Sequence, residues 1–202
     1  MTQTPKNKPK IFVALDTPDL TQAQQWATQI GPITGALKLG MEFINTYGPQ
    51  GIETIQNAAP DAALFIDLKF HDIPNTVKGA VRAICARHKP AYINVHAAGG
   101  TDMMQAAQDA VQESSDPQTK LLAVTILTSL NTAAINEIGY NDPLENQVIR
   151  MAKLAQKSDL AGVVCSPHEI KIIREACNDT FETMTPGIRP TAFTKDDQTR
   201  TM

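Results

Sequence analysis

The charges best placed to do chemistry in this chain lie in Asp67-Leu68-Lys69-Phe70-His71-Asp72-Ile73-Pro74-Asn75-Thr76. The segment follows an apolar run, Ala62 to Ile66, that reads as a buried strand. Side chains alternate across a strand, so Asp67 and Lys69 are expected on one side. Asp72 falls past the strand end, where the chain turns. Pro74, Asn75 and Thr76 then break the strand and start a helix. Burying charge is costly unless the charges pair. A fixed array of both signs could stabilise charge that develops in a transition state, and an ammonium could also deliver a proton. The plainer reading is a salt bridge at a strand end. Lys38 adds a second cation in a small, apolar strand context, where a snorkelling lysine is the plainer reading.

The elements that must position these groups alternate along the chain. Predicted strands cover Ile11–Leu15, Gly35–Leu39, the run into Asp67, Ala91–Val95, Leu121–Leu127, Leu160–Val164 and Phe181–Thr185. Between them lie helical patterns. The first has an apolar face of Ala23, Trp26, Ala27 and Ile30 and is expected to end at Gly31-Pro32. The second, with Ile44, Ile52 and Ile55, is interrupted at Gly48-Pro49. The third carries the stripe Val77, Ala80, Val81, Ile84 and Cys85. Thr101 is expected to cap the fourth. A short helix and a longer one with Val148, Met151, Ala152 and Ala155 follow the fifth strand, and Pro167 opens the last. Such alternation predicts an α/β fold of parallel strands with right-handed crossovers. Polar or charged residues recur at the carboxyl ends of the strands: Asp16, Lys38, Asp67 with Lys69, His96, Thr128 and Arg189. In a β/α barrel those ends share one face, whereas an open sheet uses a single crevice. The pattern favours a TIM (β/α)8 barrel. A closed barrel needs eight strands and seven are counted, so the last β/α unit is missing from this chain: either it is a fragment of a longer one or the fold is not a closed barrel.

Length and composition suit one domain over residues 11–202 after a disordered tail, 1–10. A net charge of −3 gives no nucleic-acid footprint. No apolar run approaches the roughly 20 residues of a membrane span, and the start lacks the apolar segment of a signal peptide. Cys85, Cys165 and Cys177 contain no Cys-x-x-Cys pair and fit small buried residues in a reducing cytoplasm. No His-x-x-x-His or cysteine cluster offers a metal site, and no Gly-x-Gly-x-x-Gly opens the first helix. His96 reads as structural, and His88 and His168 as surface residues. Thr191 to Met202 reads as a solvated polar segment.

The chain resembles the orotidine 5′-phosphate decarboxylases, bacterial short form. The resemblance rests on Ala14-Leu15-Asp16, Leu37-Lys38-Leu39-Gly40, Asp67 through Thr76, Asn94-Val95-His96-Ala97 with Gly99-Gly100, and Leu127-Thr128-Ser129. It continues through Gly162 to Ser166, Thr185 to Pro190, and Asp197-Gln198. It implies decarboxylation of orotidine 5′-phosphate to uridine 5′-phosphate, the last step of de novo pyrimidine synthesis, with neither metal nor organic cofactor. It implies a proton donor at Lys69, charges alternating in the order Lys38, Asp67, Lys69, Asp72, and a homodimer in which Asp72 and Thr76 reach the partner's site. Asp16 resembles the ribose contact, Thr128 the pyrimidine-side contact, and Arg189 and Gln198 the phosphate-end contacts. In the family one more strand follows, whose Gly-Arg pair grips the phosphate, and that strand is not expected within this chain. Two other readings stand beside this one. One is a metal-dependent 3-keto-sugar-phosphate decarboxylase, which shares the Asp-x-Lys-x-x-Asp spacing. The other is a non-catalytic nucleotide-binding fragment.

Overall fold

A computed structural model describes residues 11–114, 118–188 and 200. The expected tail over residues 1–10, and the candidates Arg189 and Gln198, lie outside them. The described residues form an α/β fold of seven strands that follow one another in chain order, β1 to β7. The chain divides into two compact units, one of Met1–Leu68 with His88–Tyr92, the other of Lys69–Arg87 with Ile93–Met202.

The first unit holds β1 (Val13–Ala14), α1 (Leu20–Thr34), β2 (Ala36–Gly40), α2 (Met41–Ala58) and most of β3 (Ala63–Phe70). β1 pairs with β2 and β2 with β3, both in parallel, with Ala14 opposite Lys38 and Gly40 opposite Asp67. Its core gathers Leu15, Leu37, Leu39, Phe43, Ile52 and Ile66, each at most 2% exposed. Phe12, Phe65 and Tyr92 meet edge to face, with ring centroids 5.3–6.2 Å apart. Each such pair contributes about 0.5–1.5 kcal/mol beyond its buried area.

α1 does not stop at Gly31-Pro32. It runs on to Thr34 with Pro32 inside, and Gly35 closes it at φ 69°, donating its N–H to the Gly31 carbonyl. Pro32 removes one bond to the carbonyl four residues back. That residue, Thr28, is exposed. Gly31 is there for packing: a Cβ on it would lie 2.7 Å from the Ala59 Cβ. In α2 the expected interruption is present, because Gly48 takes φ 59°, ψ −155°, a region open in practice only to glycine.

The second unit holds α3 (Pro74–His88) up to Arg87, β4 (Tyr92–His96) from Ile93, α4 (Gly100–Gln112), β5 (Lys120–Val124), α5 (Thr132–Glu137), α6 (Leu144–Lys157), β6 (Gly162–Val164), α7 (Ile170–Ala176) and β7 (Glu182–Met184). β5, β6 and β7 pair in parallel. Its core joins Val81, Ile93, Met104, Ala107, Leu121 and Val148. The predicted stripe of α6 is buried at Val148, Met151, Ala152 and Ala155. Thr101 is not a cap: α4 begins at Gly100 after a 3-10 turn over Ala97–Gly99, and Gly99 occupies the cap without a side-chain bond. Pro167 does open a turn, and Ser166 and Glu169 cap it reciprocally.

Candidate active site

In the first unit, three parallel strands bring Asp16, Lys38 and Asp67 together at their carboxyl ends. Lys38 Nζ lies 3.3 Å from Asp67 Oδ2 and 3.6 Å from Asp16 Oδ1. The Lys38 and Asp67 side chains are 21% and 13% exposed, that of Asp16 65%. The first pair is therefore shielded. The second is exposed and is worth no more than about 1 kcal/mol. Lys38 is held from two sides and does not snorkel alone.

In the second unit, Lys69 has a φ of 51°, in the left-handed region that side-chain-bearing residues rarely adopt. Its backbone N–H donates to Asn94 Oδ1 at 2.7 Å, and Asn94 is fully buried on β4. Residues 71–76 are exposed. Asp72 Oδ1 accepts the Ile73 N–H at 2.6 Å, and the Ile73 carbonyl accepts from Thr76 and Val77, setting the first turn of α3. Pro74 suits that first turn because its missing N–H would have no partner there. His71 and His96 place their rings 5.4 Å apart, tilted by 34°. Leu68 and Phe70 are half-buried.

Thr128 is buried beyond β5, and its carbonyl accepts the Arg200 N–H at 3.1 Å. Arg200 belongs to the stretch read from sequence as a solvated polar segment, and here that reading fails. Its guanidinium pairs with Glu169, which is 3% exposed, and donates to the carbonyls of Ile126 and Leu127 at 3.0 and 2.9 Å. The Arg200 carbonyl accepts from Ser166 Oγ at 2.6 Å, and Glu169 Oε2 accepts the Ser166 N–H at 2.9 Å. One arginine thus joins the segments that follow β5 and β6. No local pattern announces this, since Glu169 lies 31 residues away. Beside it, burial and the Glu169 carboxylate push the Cys165 thiol up to about 12, so this cysteine stays a neutral core residue. Cys85 is also buried, and Cys177 is partly so.

His88 is a second correction. It is 3% exposed rather than a surface residue, with Nδ1 3.4 Å from Gln56 Oε1, and its carbonyl accepts from Gln56 Nε2. His168 is exposed, as expected. Among the described residues no group of three His, Cys, Asp or Glu side chains could hold a metal ion, and no helix is long and apolar enough to cross a membrane.

The sequence profile of the Orotidine 5'-phosphate decarboxylase / HUMPS family matches residues 9–202. The orotidine 5'-phosphate decarboxylase of Moorella thermoacetica is 45% identical over 200 residues, 96% of this chain and 78% of that one. That of Thermobifida fusca is 43% identical over 190 residues, 94% of this chain and 78% of that one. The crystal structure of orotidine 5'-phosphate decarboxylase from Lactobacillus acidophilus superposes with a TM-score of 0.81 at 37% identity, covering 89% of this chain and 81% of that one.

Proposed function

The chain belongs to the orotidine 5′-phosphate decarboxylase / HUMPS family, and from that premise we propose that it converts orotidine 5′-phosphate to uridine 5′-phosphate and carbon dioxide. The observation that carries the reading is the family match along residues 9–202, in which Asp67-x-Lys69-x-x-Asp72 is unbroken. The bond from pyrimidine C6 to the carboxylate breaks, and its electron pair stays on C6. Carbon dioxide leaves, and the Lys69 ammonium gives C6 a proton. With no electron sink in the ring, the barrier must be lowered by charge fixed in place beforehand. Lys69 supplies the positive charge as well as the proton. Asp67 crowds the departing carboxylate, and its partner Lys38, 3.3 Å away, keeps the group electrically balanced.

In this reading Asp16 contacts the ribose and Thr128 the pyrimidine side. Arg189 and Gln198 contact the phosphate, whose binding energy organises the reacting end. The run Leu68, Phe70, His71, Ile73, Pro74 and Asn75 completes the substrate-binding segment. The fold is a TIM (β/α)8 barrel that lacks its last β/α unit in this chain, and the enzyme works in the cytoplasm as a homodimer. The exposure of Asp72 and Thr76 in the single chain agrees with their serving a partner's site. Mixing Asp72→Ala chains with Lys69→Ala chains is then expected to restore part of the activity. Hybrid dimers without recovery would remove the shared site.

The direct test is ultraviolet-monitored decarboxylation of orotidine 5′-phosphate in EDTA, on this chain and on one extended through an eighth β/α unit. Turnover that persists in EDTA is expected. Turnover lost in EDTA and restored by magnesium would favour the sugar-phosphate type of chemistry. A folded, dimeric, extended chain that leaves the substrate untouched would overturn the assignment.

A further inference from the structure

A lysine with a left-handed backbone inside a strand needs something to hold it there. Side chains other than glycine rarely adopt a φ of 51°, and such conformations persist only where the surroundings impose them. At Lys69 a contact that opposes relaxation is the 2.7 Å bond from its N–H to Asn94 Oδ1. Asn94 is 0% exposed and sits among Tyr92, Ile93 and Val95, the apolar run of β4. An amide buried in such a strand costs free energy unless its polar atoms are used. It is therefore a polar residue kept in an apolar place, bonded to the backbone of the one residue whose direction matters most.

We infer that Asn94 is a positioning residue: it holds Lys69 in the left-handed conformation and so sets the direction in which the lysine side chain leaves the strand. The inference rests on the decarboxylase reading, because direction matters only if Lys69 delivers a proton. Asn94 itself touches no reacting atom. Its removal should let the backbone at Lys69 relax toward ordinary extended geometry and misplace the ammonium. A displacement near 1 Å is enough for a loss of about 100-fold.

The experiment compares wild type, Asn94→Ala and Asn94→Asp by steady-state kinetics on orotidine 5′-phosphate and by hydrogen exchange at the Lys69 amide. For Asn94→Ala the expected result is a 10- to 100-fold fall in kcat, KM within threefold of wild type, and faster exchange at that amide. Asn94→Asp keeps an acceptor oxygen at the same place, so it should retain the slow exchange and more of kcat than the alanine variant. It also serves if the alanine variant fails to fold. A kcat within twofold of wild type for Asn94→Ala would overturn the inference. So would a fall in kcat matched by the rise in KM, or a Lys69 amide that exchanges as before. A wild-type chain with no turnover at all would instead overturn the decarboxylase reading, and this role with it.

Discussion

Lys69→Ala is expected to abolish turnover of orotidine 5′-phosphate, by roughly 10⁴-fold or more. Two effects leave with the ammonium. Proton transfer from a positioned acid contributes about 10²–10⁴-fold, and a charge aimed at the developing anion about 10²–10³-fold. Neither is recoverable from water, which carries no charge and is a far weaker acid than an ammonium. The fold should survive the change, because Lys69 is only half-buried and its strained φ belongs to the backbone. A companion variant sharpens the point. Lys69→Gly should be equally inactive yet more stable than Lys69→Ala by about 1 kcal/mol, since glycine accepts a positive φ without the usual penalty. Thermal unfolding beside the ultraviolet assay reads both. Activity near wild type in a folded Lys69→Ala chain would mean that the proton comes from elsewhere.

Glu169→Ala carries the largest expected loss of stability. Its side chain is 4% exposed, that of its partner Arg200 16%, and the same carboxylate accepts the Ser166 N–H. Truncation leaves a guanidinium shielded and uncompensated and an amide without its acceptor. Removing one member of a buried pair costs about 3–5 kcal/mol. For a chain of this size that corresponds to a fall in melting temperature of roughly 6–20 °C. Replacing both partners with apolar residues, Glu169→Leu with Arg200→Met, should be milder than the single change, because no charge is then stranded. A melting temperature within 2 °C of wild type for Glu169→Ala, roughly the shift of a single kcal/mol, would show that the pair contributes little.

Features written in local periodicity were legible in the sequence. The helix stripes, the order and approximate places of the strands, the break at Gly48-Pro49 and the start at Pro167 each follow from residues within a few positions of one another. The pairing of Lys38 with Asp67 also follows, because both end parallel neighbouring strands. What was not legible depends on distant partners. Gly31-Pro32 looks like a helix terminator until Ala59 explains the glycine. His88 looks like a surface residue until Gln56 meets it. Thr101 is a separate miss, a local one: the 3-10 turn over Ala97–Gly99 starts the helix before Thr101 and leaves Gly99 at the cap. The left-handed backbone at Lys69 had no signal either, because a strand pattern assumes ordinary extended geometry at every step. Asn94 did leave a signal, a lone amide inside an apolar strand.

The clasp at Arg200 also has a consequence for the order in which the protein is made. Its contacts reach back 31 residues to Glu169, 34 to Ser166 and 74 to Ile126. A ribosome adding about 5–20 residues per second finishes Glu169 roughly 2–6 s before Arg200 is joined. During that interval the turn after β6 exists without its cation, and Glu169 is best left in water. The segments after β5 and β6 are thus expected to lock together only once that arginine has been translated.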